Sequence, residues 1–280
     1  MANKILITGA KGQLGTELSN LLPEAVLAGA QDLDITDKSA VDQFINKYQI
    51  NTIVNCAAYT NVDEAEENKE KATAVNVVGP TNLANTSCKL IHISTDYVFD
   101  GTGYRPYTPE DKTHPLSVYG ITKRLGEEAV LANNSNAIII RTAWLYSPYG
   151  KNFVKTMQRL GTEREQINVV ADQVGTPTYA ADLADAIVQI LPQMDQHKNK
   201  IYHYTNEGVC SWYDFATAIM EQLNLKCKVN PIPSSVYPTK AKRPFYSVLD
   251  KSQIKTDFCL KIPHWTDGLK RCLKQLENTK

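Results

Sequence analysis

Three glycines at a three-residue step constrain the fold of this chain more than any other feature. From Asn3 to Leu18 it reads N-K-I-L-I-T-G-A-K-G-Q-L-G-T-E-L. The apolar run Ile5-Leu6-Ile7 ends at Thr8, and Gly9, Gly12 and Gly15 follow. Leu14, Leu18, Leu21 and Leu22 then share one helical face. A strand, a glycine turn and a helix N-terminus in that order cradle a pyrophosphate. Small residues let the backbone approach the phosphates, and the free N–H groups and dipole of the helix stabilise their charge. The spacing is G-x-x-G-x-x-G rather than G-x-G-x-x-G, so a plain glycine-rich turn is the competing reading.

The rest of the chain keeps the rhythm that such a turn requires. Ala25 to Leu27 reads as a weak second strand, and Thr36 or Asp37 as the cap of a helix through Val41, Phe44, Ile45 and Tyr48. Thr52 to Asn55 is a third strand, followed by a charged segment, Asp63 to Lys71, and a more apolar helix, Ala72 to Thr86. Leu90 to Ser94 is a fourth strand, Thr95 to Pro115 a loop, Val118 to Leu131 a helix and Ala137 to Ile140 a fifth strand. Short β-branched runs alternating with helices predict an α/β fold, a Rossmann-type doubly wound parallel sheet. Beyond Arg141 the alternation loosens. We expect residues 1–145 to form the dinucleotide-binding lobe, with about 165–195 returning to it. Residues 146–280 would be mainly a smaller substrate-binding lobe. Its helices are expected at Phe153 to Leu160, Ala180 to Leu191, Trp212 to Leu223 (capped by Ser211) and Thr266 to Leu276, with Lys228 to Lys242 as a Pro- and Ser-rich stretch.

Composition narrows the function class. Thirty basic residues balance 30 acidic ones, so no electrostatic footprint for nucleic acid or a membrane surface is present. No apolar stretch approaches the roughly 20 residues that span a bilayer. The six cysteines are scattered without C-x-x-C pairs, which fits small core residues of a reduced, cytoplasmic protein. The five histidines (His92, His114, His197, His203, His264) show no metal-ligand spacing and are assigned to structure.

The chemistry is expected near Tyr119-Gly-Ile-Thr-Lys123. Residues four apart stack on one helix face, so the lysine charge is expected to lower the phenol pKa from about 10 and make it a competent acid. Tyrosine and lysine are common enough here that one such pair arises by chance. Its position is more telling: it opens the helix after the fourth strand, at the carboxyl edge where ligands bind in such sheets. At the end of that strand lies Ser94-Thr95-Asp96-Tyr97-Val98-Phe99-Asp100-Gly101, whose hydroxyls can bond a substrate carbonyl.

Together G-A-K-G-Q-L-G, S-T-D-Y-V-F-D-G and Y-G-I-T-K resemble the extended short-chain dehydrogenase/reductase family. Within it they are similar to the dTDP-4-dehydrorhamnose reductases, which reduce the C4 keto group of a 6-deoxy sugar nucleotide with NAD(P)H. N-C-A-A-Y-T-N-V-D-E-A-E, R-T-A-W-L-Y, N-F-V-K-T-M, D-Q-V-G-T-P-T and R-P-F-Y-S-V-L carry the resemblance along nearly the whole chain. It implies Tyr119 as proton donor, Lys123 as its tuner and the holder of the nicotinamide ribose, and Thr95, rather than Ser94, as the catalytic hydroxyl. Gly9, Gly12, Gln13 and Leu14 would hold the cofactor pyrophosphate beside Gly15, with Asp34 and Ile35 near the adenine and Ala57, Ala58 and Tyr59 along the third strand's exit. Asp96, Tyr97 and Trp144 would line the sugar site. Asn152, Phe153, the block containing Gln173 and Thr176, and Arg243 would hold the dTDP moiety.

Two departures matter. An acidic residue about 20 positions beyond the first glycine ordinarily binds the adenosine 2′-hydroxyl of NAD. Here Ala28-Gly29-Ala30 occupies that region, and Lys11 in the turn can meet a 2′-phosphate. The expected cofactor is therefore NADPH, with NADH tolerated. Members of the family are also described with Mg²⁺ held by glutamates between the subunits of a homodimer. Glu17 fits one such position, but Ala181 stands at another, so no metal site is expected. Two rival readings share the scaffold. One is a non-catalytic regulatory subunit, against which intact Thr95, Tyr119 and Lys123 argue. The other is an epimerase or dehydratase, against which the Asp96-Tyr97 order argues, since a dehydratase needs a second acid/base group there.

Overall fold

A computed structural model describes residues 4–278. Six strands form one parallel sheet: β1 (Ile5–Thr8), β2 (Val26–Ala28), β3 (Thr52–Asn55), β4 (Lys89–Thr95), β5 (Ala137–Thr142) and an edge strand, Lys200–His203. Their spatial order is the edge strand, β5, β4, β3, β1, β2. The chain runs outward from β1 to β2 and then crosses back to β3, so the switch point lies between β1 and β3. Leu6 pairs with Val26 on one side and Ile53 on the other, which brings the ends Thr8 and Asn55 level. The inner strands are apolar on both faces because helices cover both. Leu14 and Leu18 of α1 (Gln13–Leu21) pack with Leu183 and Ile187 beneath Ile7 and Val54. On the other face, Val41 and Ile45 of α2 (Lys38–Tyr48) pack with Leu83 beneath Leu6 and Ile53.

Local chemistry explains the helix starts. Asp37 caps α2, accepting from Ala40 N–H at 3.1 Å. Ser117 caps Val118–Asn133, accepting from Gly120 N–H at 3.2 Å. Ser211 and Asp214 form a capping box at the start of Trp212–Gln222. The helix expected over Ala72 to Thr86 is interrupted by a π-helical turn, Ala74–Val78, before Gly79–Ala84. The buried Asn76 in that turn grips Tyr59, accepting from its N–H at 2.8 Å and donating to its carbonyl at 3.1 Å.

The segment expected to return to the first lobe divides. Helix Ala180–Ile190 does pack on α1. Strand Gln166–Val170 instead pairs in parallel with Lys228–Ile232, a strand absent from the sequence reading because Pro231 stands within it. A two-stranded ribbon tolerates proline, which only a central strand would exclude. This ribbon, Phe153–Glu163, Trp212–Gln222 and Trp265–Asn278 enclose a second core around Phe215, Ile219 and Leu269. Among the described residues, no helix is long and apolar enough to cross a membrane.

Candidate active site

The glycine turn sits at the carboxyl end of β1, and contacts require two of its glycines, Gly9 and Gly15. Gly9 has φ +63°, and a Cβ there would lie 2.7 Å from Ala57 N. A Cβ on Gly15 would lie 2.3 Å from Gly9 O, which is how closely α1 approaches the strand. Gly12 caps α1 with no side-chain partner for the first-turn N–H groups, and no acidic residue occupies that turn. Gly9, Lys11, Gly12, Gln13, Leu14 and Gly15 line a cleft of about 850 Å³. Asp34, Ile35, Ala57, Ala58 and Tyr59 line its outer part, and Thr95, Asp96, Tyr97, Tyr119 and Lys123 its inner end. A dinucleotide fits the donor set: bare backbone N–H groups meet it at one end. At the other, Ser94 Oγ is buried in the cleft wall with no partner.

Around the phenol, Thr95 Oγ1 donates to Asp96 Oδ1 at 3.0 Å and stands within reach of Tyr119. Tyr97 packs edge-on to Tyr119 at 5.4 Å between ring centroids. The expectation that Lys123 lowers the Tyr119 pKa does not hold in this arrangement. Burial pushes the phenol upward, the Thr95 hydroxyl partly offsets this, and the Asp96 and Tyr97 charges add to it. Lys123 donates instead to Ile93 O at 2.7 Å and lies 3.5 Å from His92 Nε2. Burial draws the lysine itself down to about 8. Burial likewise raises Asp96 to about 6.

A second cavity of about 1430 Å³ adjoins the cleft, and Trp212 and Arg243 line both. Gln173 and Phe153 are on its wall. Trp144 reaches the junction with φ +49°, a conformation costly for a bulky residue that persists only where its surroundings enforce it. Its indole stacks on Trp212 at 3.5 Å and 7°. Gly175 leaves the room, since a Cβ there would be 2.7 Å from the Trp144 ring. Arg243 donates to Tyr97 Oη at 3.0 Å and to Asp63 Oδ2 at 2.6 Å, which ties the start of the charged segment Asp63 to Lys71 into the site.

Two expected substrate contacts point elsewhere. Thr176 is fully buried and donates to Gly208 O at 2.8 Å. Asn152 lines the cofactor cleft and is absorbed by local structure. It caps Phe153–Glu163 and donates to Gln13 Oε1 at 2.9 Å and Ser147 O at 2.7 Å. Beyond the end of β2 the chain folds back so that Gly29 N–H donates to the Asp32 carboxylate at 2.8 Å, with Lys11 at 4.0 Å, while Ala28, Gly29 and Ala30 line the cleft. Glu17 is buried between α1 and its neighbour helix. Burial, with Asp185 and Asp182 nearby, raises it to about 7.

Comparison with known proteins decides the family. The model of the RmlD substrate binding domain matches residues 3–278. The chain belongs to that family. It is 42% identical to a dTDP-4-dehydrorhamnose reductase of Aggregatibacter actinomycetemcomitans, over 95% of this chain and 97% of the relative. The crystal structure of a dTDP-4-dehydrorhamnose reductase from Clostridium acetobutylicum superposes with a TM-score of 0.94 at 42% identity, over 98% of this chain and 99% of the other. One from Bacillus anthracis, solved in complex with NADP, gives 0.92 at 40% identity over 98% and 100%. From the sequence, His92 is assigned to structure, and Trp212, Asp63 and Asn55 receive no role at the site. Asn55 and His92 carried a signal, being polar residues inside apolar, fully covered strands.

Proposed function

We propose that this chain is a cytoplasmic dTDP-4-dehydrorhamnose reductase that uses NADPH and accepts NADH. The observation that carries the reading is that Tyr119 and Thr95 line the cofactor cleft beside Tyr97, whose hydroxyl accepts from Arg243, a residue that lines both the cleft and the second groove. The first lobe would hold the cofactor and the second the dTDP part of the sugar nucleotide. When bound, the nicotinamide supplies the hydride. The chain's own residues then do three things. Gly9, Gly12 and the α1 N-terminus bind the pyrophosphate, and Lys11 meets a 2′-phosphate. The Trp144–Trp212 pair offers an apolar face for the deoxy sugar, and Arg243 leaves Asp63 for the substrate's phosphates. Thr95 aligns the C4 carbonyl oxygen, and Tyr119 Oη delivers its proton to that oxygen as C4 is reduced, giving dTDP-L-rhamnose. A phenol held above its ordinary range keeps its proton until an alkoxide, the stronger base, forms beside it. All six cysteines are free, in keeping with a reducing compartment. The test is NADPH oxidation with dTDP-4-dehydro-L-rhamnose and identification of the product; no turnover would overturn the assignment.

A further inference from the structure

Behind Lys123 lies a chain of polar groups that the proposed reaction does not yet use. Thr8, Asn55 and His92 are each at most 1% exposed and Lys123 is 2% exposed. Thr8 Oγ1 donates to Asn55 Oδ1 at 2.6 Å, and Ala57 N–H donates to the same oxygen at 3.2 Å. The backbone N–H can only donate, so it fixes which end of the carboxamide is oxygen. The amide nitrogen, Nδ2, is therefore the atom 2.9 Å from His92 Nδ1. It too can only donate, so Nδ1 accepts and the ring hydrogen sits on Nε2. Burial keeps His92 neutral, well below its ordinary pKa. The result is an imidazole N–H aimed at Lys123 Nζ from 3.5 Å.

An ammonium has no lone pair to receive that N–H, whereas a neutral amine has one. We propose that His92, with its tautomer set by Asn55, is a positioning residue that disfavours the ammonium form of Lys123 and holds the amine against Ile93 O. The other ionisable groups facing Lys123 are Cys56 at the exit of β3, and Glu127 and Tyr119 on its own helix. Glu127 acts against the effect of His92, but Arg141 holds it at 2.7 Å and satisfies its carboxylate. Lys123 thus exchanges its proton within the working pH range instead of remaining a fixed cation. The consequence for turnover rests on the reductase reading, but the tautomer does not.

The first readout is ¹⁵N NMR of histidine-labelled wild-type protein, with His92 assigned by its loss in His92→Phe. A hydrogen on Nε2 and a bare Nδ1 are expected; a hydrogen on Nδ1 overturns the proposal whether or not the enzyme turns over. The second is Asn55→Asp, whose carboxylate accepts from Nδ1–H and turns the Nε2 lone pair toward Nζ. The alkaline limb of kcat/KM should then rise by about one pH unit, the size expected from a new acceptor facing a cation. In the His92→Phe background the same substitution should move the limb little. An equal rise there would mean that the added charge acts through space, and would overturn the role of His92. A wild type that never turns over, with the expected tautomer intact, would count against the reductase reading alone.

Discussion

Gly175→Ala is a sharp probe of the sugar site because one methyl group meets two rigid neighbours. Its Cβ would lie 2.7 Å from Trp144 Cε2 and 2.8 Å from Ser247 Oγ, both inside van der Waals contact. The indole has nowhere to retreat. It is stacked on Trp212, and its backbone, already at positive φ, is pinned by Thr178 N–H donating to Trp144 O at 3.1 Å. Overpacking of this kind costs about 1–3 kcal/mol. If the ring absorbs the strain by tilting, the sugar platform is lost and the KM for the nucleotide sugar rises about tenfold for each 1.4 kcal/mol. Trp144 and Trp212 also line the cofactor cleft, so NADPH affinity is measured alongside, and the rise in KM for the sugar nucleotide is expected to exceed any change in it. The assay is steady-state NADPH oxidation with each substrate varied in turn, alongside NADPH titration by fluorescence. An unchanged KM for the sugar nucleotide in a folded Gly175→Ala enzyme would refute the role given to Trp144.

Tyr119→Phe should lower kcat by about 10²–10⁴-fold, the usual contribution of a positioned acid, while NADPH still binds; retained turnover would remove Tyr119 from the chemistry. Gly9→Ala forces φ +63° on an L side chain, a conformation costing about 1–2 kcal/mol, and drives a methyl group into the Ala57 backbone. Thermal melts should show the loss and titration should show NADPH binding abolished. Lys11→Ala should reduce the NADPH/NADH ratio of kcat/KM about 5-fold or more, by removing a partner of a 2′-phosphate, whereas Asp32→Ala should raise it; an unmoved ratio in both would dismiss this pair. Glu17→Gln tests a buried carboxyl raised from 4.5 to about 7. The native state holds that proton more tightly than the unfolded chain, so the stability it contributes below pH 4.5 is lost as the pH rises through 7. The variant should therefore melt above the wild type at pH 8, with the advantage gone by pH 4.5.

Much of this was legible in the sequence wherever a local rule and the global fold agreed. The β1–turn–α1 unit, the Asp37 or Thr36 cap and the Ser211 cap rest on short-range chemistry, and the structure has them at those positions. The Tyr119–Lys123 spacing placed both residues in one cleft, but it could not say what each would touch. The lysine's partners, Ile93 O and His92, come from β4 across the helix–sheet interface. Burial of Thr176 against Gly208 O is not legible in the block's sequence, since individual members of one block can face different ways. Strand Lys228–Ile232 was hidden by Pro231, whose exclusion rule applies to central strands only. Asp32 was overlooked because its carboxylate reaches Gly29 by a fold-back of the chain that composition does not announce.

The central claim is that the cofactor is consumed in reducing a sugar-nucleotide ketone. Its most direct test is the stoichiometry of NADPH oxidation against dTDP-4-dehydro-L-rhamnose, with product analysis by mass. One NADPH oxidised per product two mass units heavier than the substrate is expected, with the added hydrogen at C4. Conversion of the sugar with NADPH returned unchanged would mark an epimerase or dehydratase, and cofactor binding without conversion would mark a subunit that only binds.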